Sequence, residues 1–209
     1  MRLVLASNNQ KKLAELQTLL APAGVTLVTQ QSLGIAEAEE PFSTFIENAL
    51  TKARHAARLA KGAAIADDSG LCVDALGGAP GVISAHFADP VPADANRETQ
   101  RAAQDQANNR LLIERLDGVA QRHARFVSTL IALRSAQDPE PLIAIGRWEG
   151  EILRAPSGQG GFGYDPLMFI PAFGRSVAQL SSDVKNAHSH RAIAARQMLA
   201  LMREVWRLD

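Results

Sequence analysis

The sequence has a single cysteine, Cys72, no formal net charge and no long apolar run. One cysteine excludes an intrachain disulfide and a cysteine-cluster metal site, and it fits a reducing compartment. Because 22 Lys and Arg residues balance 22 Asp and Glu residues, no global field would draw nucleic acid or an anionic membrane to the chain. We therefore expect neither as a partner, and any phosphate must be bound by a local cluster of charges.

No apolar run approaches the length of a membrane span, and the N-terminus turns polar too early for the apolar core of a signal peptide. These features favour a cytoplasmic protein. A hydrophobic content of 46% in 209 residues is ample for a packed core. Since the sequence has no internal repeat, low-complexity tract or clear linker, we predict a single domain over residues 1–209.

The apolar periodicity predicts a mixed α/β fold. Strands are predicted at residues 2–6, 25–29, 63–66, 71–73, 124–134, 142–153 and 167–170. Helices are predicted at residues 10–20, 42–61, 92–116 and 182–206. The polar third helix rests on propensity alone, and its 92–110 part has the character of a surface insertion.

Two adjacent carboxylates, Asp67 and Asp68, stand where a short apolar strand is expected to run into a turn. Like charges repel and lose solvation when partly buried, so a divalent cation would explain the pair. Oxygen ligands favour Mg²⁺ over Zn²⁺. An ordinary Asp-Asp-Ser-Gly bend explains the same residues without any ligand. Upstream, Glu40 ends an acidic run that is either a solvated loop or the source of a further ligand.

The segment from Ser7 to Lys12 joins the first strand to the first helix and places Lys11 and Lys12 in the first helical turn. Cations are disfavoured at that end by about 0.3–1 kcal/mol unless a negative group lies nearby. A bound phosphate would be such a group, held by free backbone amides, a hydroxyl, an asparagine amide and a lysine. Simple N-capping by Ser7 or Asn9, with solvated lysines, is the alternative.

On the second predicted helix, the inner face is a stripe of Phe45 and four alanines, which we call the alanine stripe: Ala49, Ala53, Ala56 and Ala60. Lys52 lies beside this stripe, on the side of Asn48. A long side chain in that place could cross apolar surface and present its ammonium group at a cleft. An ordinary lysine on the flank of a helix explains the position equally.

A glycine-rich loop at residues 157–166 contains a literal G-x-G-x-x-G. It lies between two predicted strands and runs into Asp165-Pro166, whereas the dinucleotide motif leaves a strand and opens a helix. What remains is a bare backbone that a planar ligand could approach, with Phe162 and Tyr164 available for stacking, or a purely structural turn.

Four basic side chains crowd together near the start of the last predicted helix: Lys185, His188, His190 and Arg191. They could bind an anion or read the edge of a base, or they could form a solvated charged face. A zinc site is disfavoured, because histidines two residues apart point in different directions on a helix.

Together these segments resemble the Ham1-like family of inosine/xanthosine triphosphate pyrophosphatases, which remove non-standard purine nucleotides. The matching blocks run in family order from residue 3 to residue 191. They are Ser7-x-Asn9-x-x-Lys12, Glu40, Thr44-Phe45-Ile46-Glu47-Asn48-Ala49, Lys52-Ala53-Arg54, Ala66-Asp67-Asp68-Ser69-Gly70-Leu71, Gly77-Gly78-Ala79-Pro80-Gly81, Gly160-Gly161-Phe162-Gly163-Tyr164-Asp165-Pro166 and Ser189-His190-Arg191.

The resemblance implies an elongated mixed β-sheet flanked by helices, with two lobes and a central cleft, in a homodimer. It implies Mg²⁺-dependent hydrolysis of dITP, ITP and XTP to a monophosphate and pyrophosphate. Glu40 and Asp68 would hold Mg²⁺, Asp68 would also activate the attacking water, and Ser69 would touch the substrate. The residues that would bind triphosphate are Ser7, Asn8, Asn9, Gln10, Lys11, Lys12 and Lys52. Those that would line the purine and select an oxo group at C6 are Phe162, which stacks, and Gly163, Tyr164, Asp165, Lys185, His190 and Arg191.

Two other functions are compatible with parts of the sequence. A related pyrophosphatase for modified pyrimidine nucleotides would share the strand, loop and lysines at the start, but it would lack the 162–165 and 189–191 blocks. A non-catalytic nucleotide or RNA binder is disfavoured by the absence of net charge and by the intact carboxylate pair.

Overall fold

The computed structural model describes residues 1–93 and 96–208. Its strands are β1 Arg2–Leu5, β2 Thr26–Thr29, β3 Ala64–Val73, β4 His123–Leu133, β5 Leu142–Ile152, β6 Met168–Ile170 and β7 Arg175–Ser176. Its α-helices are α1 Gln10–Leu20, α2 Phe45–Ala60, α3 Arg97–Arg115, α4 Ser182–His188 and α5 His190–Trp206. The strands form one sheet in the order β2-β1-β3-β4-β5-β6-β7. Because β1 pairs in parallel with β2 and β3 while β6 pairs antiparallel with β5 and β7, the predicted mixed α/β sheet is confirmed.

Two expected elements differ in the structure. The strand pieces at 63–66 and 71–73 are one continuous strand, β3, so the bend predicted at residues 67–70 is wrong. The single helix predicted at 182–206 is two helices, because Ser189 leaves the helical conformation and its hydroxyl accepts a hydrogen bond from Ala192 N at the start of α5. Serine satisfies the free amides of a helix start well enough to favour a new helix there.

The polar third helix is confirmed as α3, with Asn96 capping its first turn. Residues 94 and 95 of the predicted 92–110 insertion lie outside the described residues. The second half of that segment is not bare surface, because the side chains of Gln104 and Asn108 hydrogen-bond residues 84–91. Within the described ranges, no helix is long and apolar enough to cross a membrane.

The chain divides into two compact units. Unit 1 contains residues 1–69, 127–147 and the described residues from Asn186 onward. Its strand β1 is buried on both faces: Leu3 and Leu5 pack with residues of α1 and α5, whereas Val4 and Ala6 pack with the alanine stripe of α2. Alternation of side chains across a strand therefore gives unit 1 a layer of helix on each face of its strands.

Unit 2 contains the described residues of 70–126 and residues 148–185. Its core joins Leu112 of α3, and Leu116 directly after that helix, to the aromatic and aliphatic side chains of β4 to β6, including Trp148. Tyr164 is buried in the same cluster. The single domain predicted over residues 1–209 stays a prediction.

Candidate active site

The two carboxylates of β3 belong to different environments, because adjacent residues of a strand point to opposite faces. Ile65 lies on the face that packs with α1 and α5, and Asp67 follows it on that face. Ala66 lies on the face that packs with α2, and Asp68 follows it there. The two charges are therefore neutralised separately by protein cations, and the pair by itself does not require a metal.

Asp67 is the centre of a buried polar network in unit 1. Its Oδ2 lies 3.0 Å from Lys12 Nζ and 3.2 Å from both Nε and Nη2 of Arg191. Ser69 Oγ donates to the same oxygen at 3.0 Å, and Ser128 Oγ donates to Oδ1 at 2.7 Å. Burial alone raises the pKa of a carboxyl, but Lys12, Arg191 and the Ser128 hydroxyl outweigh it and hold the pKa of Asp67 far below its usual range.

Arg191 is the most deeply buried cation of this network, with 2% of its surface exposed. Besides Asp67 it donates to Ser69 Oγ at 3.0 Å and to Glu15 on α1. Two carboxylates and a hydroxyl thus hold the guanidinium group. Burial lowers the pKa of Arg191, but the two carboxylates outweigh it and raise that pKa above its usual value. The solvated face considered for this residue is wrong.

Lys52 joins the second carboxylate to the acidic run. Its Nζ lies 2.8 Å from Asp68 Oδ1 and 2.7 Å from Glu40 Oε2. Although burial by itself lowers the pKa of Lys52, these two carboxylates raise it above its usual value. The lysine on the flank of α2 is therefore buried and pairs with two carboxylates.

Asp68 remains only partly satisfied. Its Oδ2 is buried and has no hydrogen-bond partner among the described residues. Burial raises the pKa of Asp68 to about 6, against the opposing charge of Lys52. A carboxyl with that pKa can hold or release a proton near neutral pH, which is the property of a general base.

The donor set around Asp68 fits a hard divalent cation. Asp68 and Glu40 offer carboxylate oxygens, and one of them is the buried Oδ2 that lacks a partner. The two carboxyls also interact with one another, since Glu40 contributes to raising the pKa of Asp68. No group of three or more metal-ligating side chains occurs within the parts of the chain that the structure describes. A cation held here would complete its coordination with substrate oxygens and water, as Mg²⁺ commonly does.

The start of α1 combines capping with a partly buried lysine. Asn9 Oδ1 accepts from the backbone amides of Lys11 and Lys12 at 3.0 and 3.2 Å, and Asn9 N donates to Ser7 Oγ. Burial lowers the pKa of Lys12, although Asp67 opposes it. Asp67 is thus a negative group beside this lysine, so the lysine alone does not demand a phosphate. Asn8 Oδ1 is buried without a partner in the described chain and remains open to a ligand.

In unit 2, residues 160–166 form a loop that we call the base loop. Asp165 Oδ2 accepts from Phe162 N at 3.0 Å and from Lys185 Nζ at 2.8 Å. The same ammonium group lies 4.6 Å from the centroid of the Phe162 ring, which is a cation–π distance. A Cβ at Gly161 would lie 2.0 Å from Asp165 Oδ2, so only glycine permits this closure.

The four basic residues near the last helix are divided between the two units. Lys185 belongs to unit 2 and forms an ion pair with Asp165, whereas His190 and Arg191 are buried in unit 1. His188 is exposed at the end of α4. Tyr164, predicted to line the base, donates its hydroxyl to Ser84 O at 2.8 Å, and burial raises its pKa well above the usual value.

Sequence reasoning missed two residues of the unit 1 network, Glu15 and Ser128, and assigned a third, Asp67, only in part. Glu15 follows Lys12 by three residues on α1, which puts both on one face of the helix and was a usable signal. Ser128 gave no signal in the sequence, because a serine inside an apolar strand can be there for many different reasons. Asp67 was noticed only as the neighbour of Asp68, and alternation along β3 would have assigned it to the face of α1.

Comparison with known proteins identifies the family. A model of the Ham1 family matches residues 3–201. The dITP/XTP pyrophosphatase of Methylibium petroleiphilum is 70% identical over 206 residues, which cover 99% of each chain. That of Acidovorax sp. is 57% identical, covering 99% of this chain and 97% of its own.

Solved structures agree. A HAM1 protein from Coxiella burnetii has a TM-score of 0.87 and 39% identity, covering 98% of this chain and all of its own. The nucleoside-triphosphatase / dITP/XTP pyrophosphatase from Mycobacterium abscessus has a TM-score of 0.71 and 39% identity, covering 96% and 98% of the two chains. On these grounds the chain belongs to the Ham1 family.

Proposed function

We propose that this chain is a nucleoside triphosphate pyrophosphatase that hydrolyses dITP, ITP and XTP to the nucleoside monophosphate and pyrophosphate. Relatives of nearly the same length carry the name dITP/XTP pyrophosphatase. The structural observation that carries the proposal is the Asp68 carboxyl, buried beside Lys52 with one oxygen that has no partner among the described residues. The activity would remove non-standard purine nucleotides from the nucleotide pool.

In this proposal unit 1 binds the triphosphate. Residues 7–12 offer backbone amides at the start of α1 together with the side chains of Ser7, Asn8, Asn9, Gln10, Lys11 and Lys12. Lys52 provides a second ammonium group for the phosphate chain. Fixed cations and amides are effective here because they stabilise charge that builds up on phosphate oxygens during transfer.

Asp68 is the general base of the proposed mechanism. Its carboxylate accepts a proton from the attacking water, and Lys52 fixes the carboxylate through Oδ1 at 2.8 Å. Glu40 and Asp68 would hold Mg²⁺, which supplies charge neutralisation for the triphosphate and lowers the pKa of bound water. Ser69, one residue further along β3, contacts the substrate.

The base loop provides the purine contacts in this proposal. Phe162 stacks on the base, and the base is lined by Gly163, Tyr164, Asp165 and Lys185 of the same unit. For His190 and Arg191, contact with the purine stays a prediction of the family resemblance. A site that donates hydrogen bonds to an oxo group at C6 rejects adenine, because an amino group leaves buried donors without partners.

We further propose that the protein acts as a homodimer in the cytoplasm, on free nucleotides. Light scattering after gel filtration gives the molar mass directly. The value expected for a dimer is twice the 22.4 kDa of one chain, and a monomer at micromolar concentration would contradict this part.

A substrate panel tests the function. We expect pyrophosphate release from dITP and XTP to exceed release from dATP, dGTP and a modified pyrimidine triphosphate by at least about tenfold in kcat/KM. Asp68→Asn should remove most turnover while inosine triphosphate still binds. Preferential hydrolysis of the pyrimidine would favour the related pyrimidine pyrophosphatase, and binding without turnover by the unmodified chain would favour a nucleotide-binding role.

A further inference from the structure

The helix α3 presents a row of polar side chains that the proposed function does not use. Asp105, Asn108 and Asn109 are spaced three and four residues apart, so they share one face of the helix. Asn108 and Asn109 are buried, and Asp105 is partly buried. Polar side chains are seldom kept in such places without hydrogen-bond partners, so the partners show what this face does.

Two of these side chains hold both backbone polar atoms of one residue in the base loop. Gly163 N donates to Asp105 Oδ2 at 2.8 Å, and Asn109 Nδ2 donates to Gly163 O at 3.0 Å. Gly163 has a φ of +62°, a conformation that glycine adopts without strain. Backbone polar atoms in a loop normally bond water or their own turn, so two contacts from a distant helix fix the loop at this residue.

The third side chain holds the neighbouring residue of the same loop indirectly. Asn108 Nδ2 donates to Ser84 O at 3.2 Å, and that carbonyl also accepts from the Tyr164 hydroxyl at 2.8 Å. One face of α3 therefore fixes two successive residues of the loop. Asn109 Oδ1 is buried without a partner in the described chain, which normally costs about 1–3 kcal/mol. The hydrogen bond that Asn109 Nδ2 donates to the loop explains why this side chain is kept although its oxygen is buried without a partner.

We infer that Asp105 and Asn109 are positioning residues that hold the base loop in the conformation required for purine binding. The inference rests on the proposed function, because it takes the base loop to contact the purine. Phe162 precedes the held glycine directly, so its ring direction depends on that backbone. Loss of the Asp105 contact would leave the phosphate-binding and hydrolytic residues of unit 1 in place. It would, however, allow the loop residues that contact the purine to change position.

Amide hydrogen exchange, measured in the absence of nucleotide, tests whether Asp105 and Asn109 fix the base loop. We compare Asp105→Ala, Asn109→Ala and Asp105→Asn with Gln106→Ala, an exposed neighbour on the same helix. The two alanine variants at 105 and 109 should speed exchange in a peptide spanning residues 158–166 by at least about tenfold. Asp105→Asn keeps an acceptor for Gly163 N and should restore much of the protection. Unchanged exchange in both alanine variants would overturn the inference.

Binding of the two products tests the link to the purine. In Asp105→Ala the affinity for inosine monophosphate should fall about tenfold, whereas the affinity for pyrophosphate should stay within about twofold of the unmodified value. The KM for dITP should rise more than kcat falls. Equal losses for both products would show a general structural effect and overturn the inference. If the unmodified chain hydrolyses no purine triphosphate, the proposed function fails, and the exchange result still decides whether α3 holds the loop.

Discussion

Replacing Asp67 by asparagine should destabilise the protein strongly, because the buried network of unit 1 converges on this carboxylate. Asparagine keeps the shape, and its Oδ1 can still accept from Ser128. Its Nδ2 would replace the oxygen that now lies 3.0 Å from Lys12 Nζ and 3.2 Å from two nitrogens of Arg191. Donors would then face donors, and the buried Arg191 and the partly buried Lys12 would lose their shared counter-charge.

The size of the expected loss in stability depends on which counter-charges each cation keeps after the substitution. Removing one partner of a buried ion pair costs about 3–5 kcal/mol. Arg191 keeps Glu15, so we expect Asp67→Asn to cost the lower end of that range, about 3 kcal/mol. Since domains are commonly stable by about 5–15 kcal/mol, the variant should still fold. Urea unfolding gives the free energy of unfolding for both proteins.

A matched control separates this network from an exposed one. Asp74 also accepts from a basic pair, His123 and Arg125, but its side chain is exposed, in unit 2. Asp74→Asn should therefore change stability little. A double-mutant cycle of Asp67→Asn with Lys12→Met should give a coupling energy of about 0.5–3 kcal/mol. If Asp67→Asn lowers the free energy of unfolding by less than about 0.5 kcal/mol, the reasoning is refuted, because changes of that size are typical of an ordinary surface substitution.

Three further substitutions probe single features. Thr44→Ala removes the side chain that caps α2, and it should lower the free energy of unfolding by about 1 kcal/mol in urea titrations. Gly146→Ala should cost about 3 kcal/mol or more, since its Cβ would lie 1.9 Å from His190 O, whereas Gly62→Ala, with its nearest atom at 3.7 Å, should cost far less. Lys52→Ala should weaken binding of inosine triphosphate more than that of the monophosphate in calorimetric titrations, and equal losses would show that this lysine does not meet the phosphate chain.

Much of the fold was predictable because periodicity reports burial directly. Leu16 and Leu20 of α1, most of the alanine stripe of α2, and Met198 and Met202 on the inner face of α5 are buried as their spacing indicates. The break at Ser189 was not predictable from periodicity, because residues 188–191 are all polar and offer no apolar spacing there. Only the capping hydroxyl reveals that two helices meet there.

The residues of the candidate site could largely be predicted from the sequence, but the ion pairs between them could not. Lys52 on the flank of α2 indicated a buried lysine correctly, yet nothing in the sequence named Asp68 and Glu40 as its partners. Asp67 and Asp68 were read as one bend because charged residues usually end an apolar strand. The strand continues here because each carboxylate finds a cation on its own face, which is a tertiary effect.

Contacts made by backbone atoms lay beyond sequence reasoning. The close approach of α5 to Gly146 and the hold of α3 on Gly163 involve carbonyl and amide groups, which every residue carries. A glycine inside a strand does indicate a close approach in general. It does not say which element approaches.

The identity of the phosphorus-containing product tests the central claim most directly. The unmodified protein, given dITP and Mg²⁺, should release one pyrophosphate for each deoxyinosine monophosphate, as measured by phosphorus NMR of the reaction mixture. Asp68→Asn, at the same protein concentration, should release neither at more than about a hundredth of that rate. Orthophosphate with deoxyinosine diphosphate, or turnover by Asp68→Asn close to that of the unmodified protein, would contradict the account.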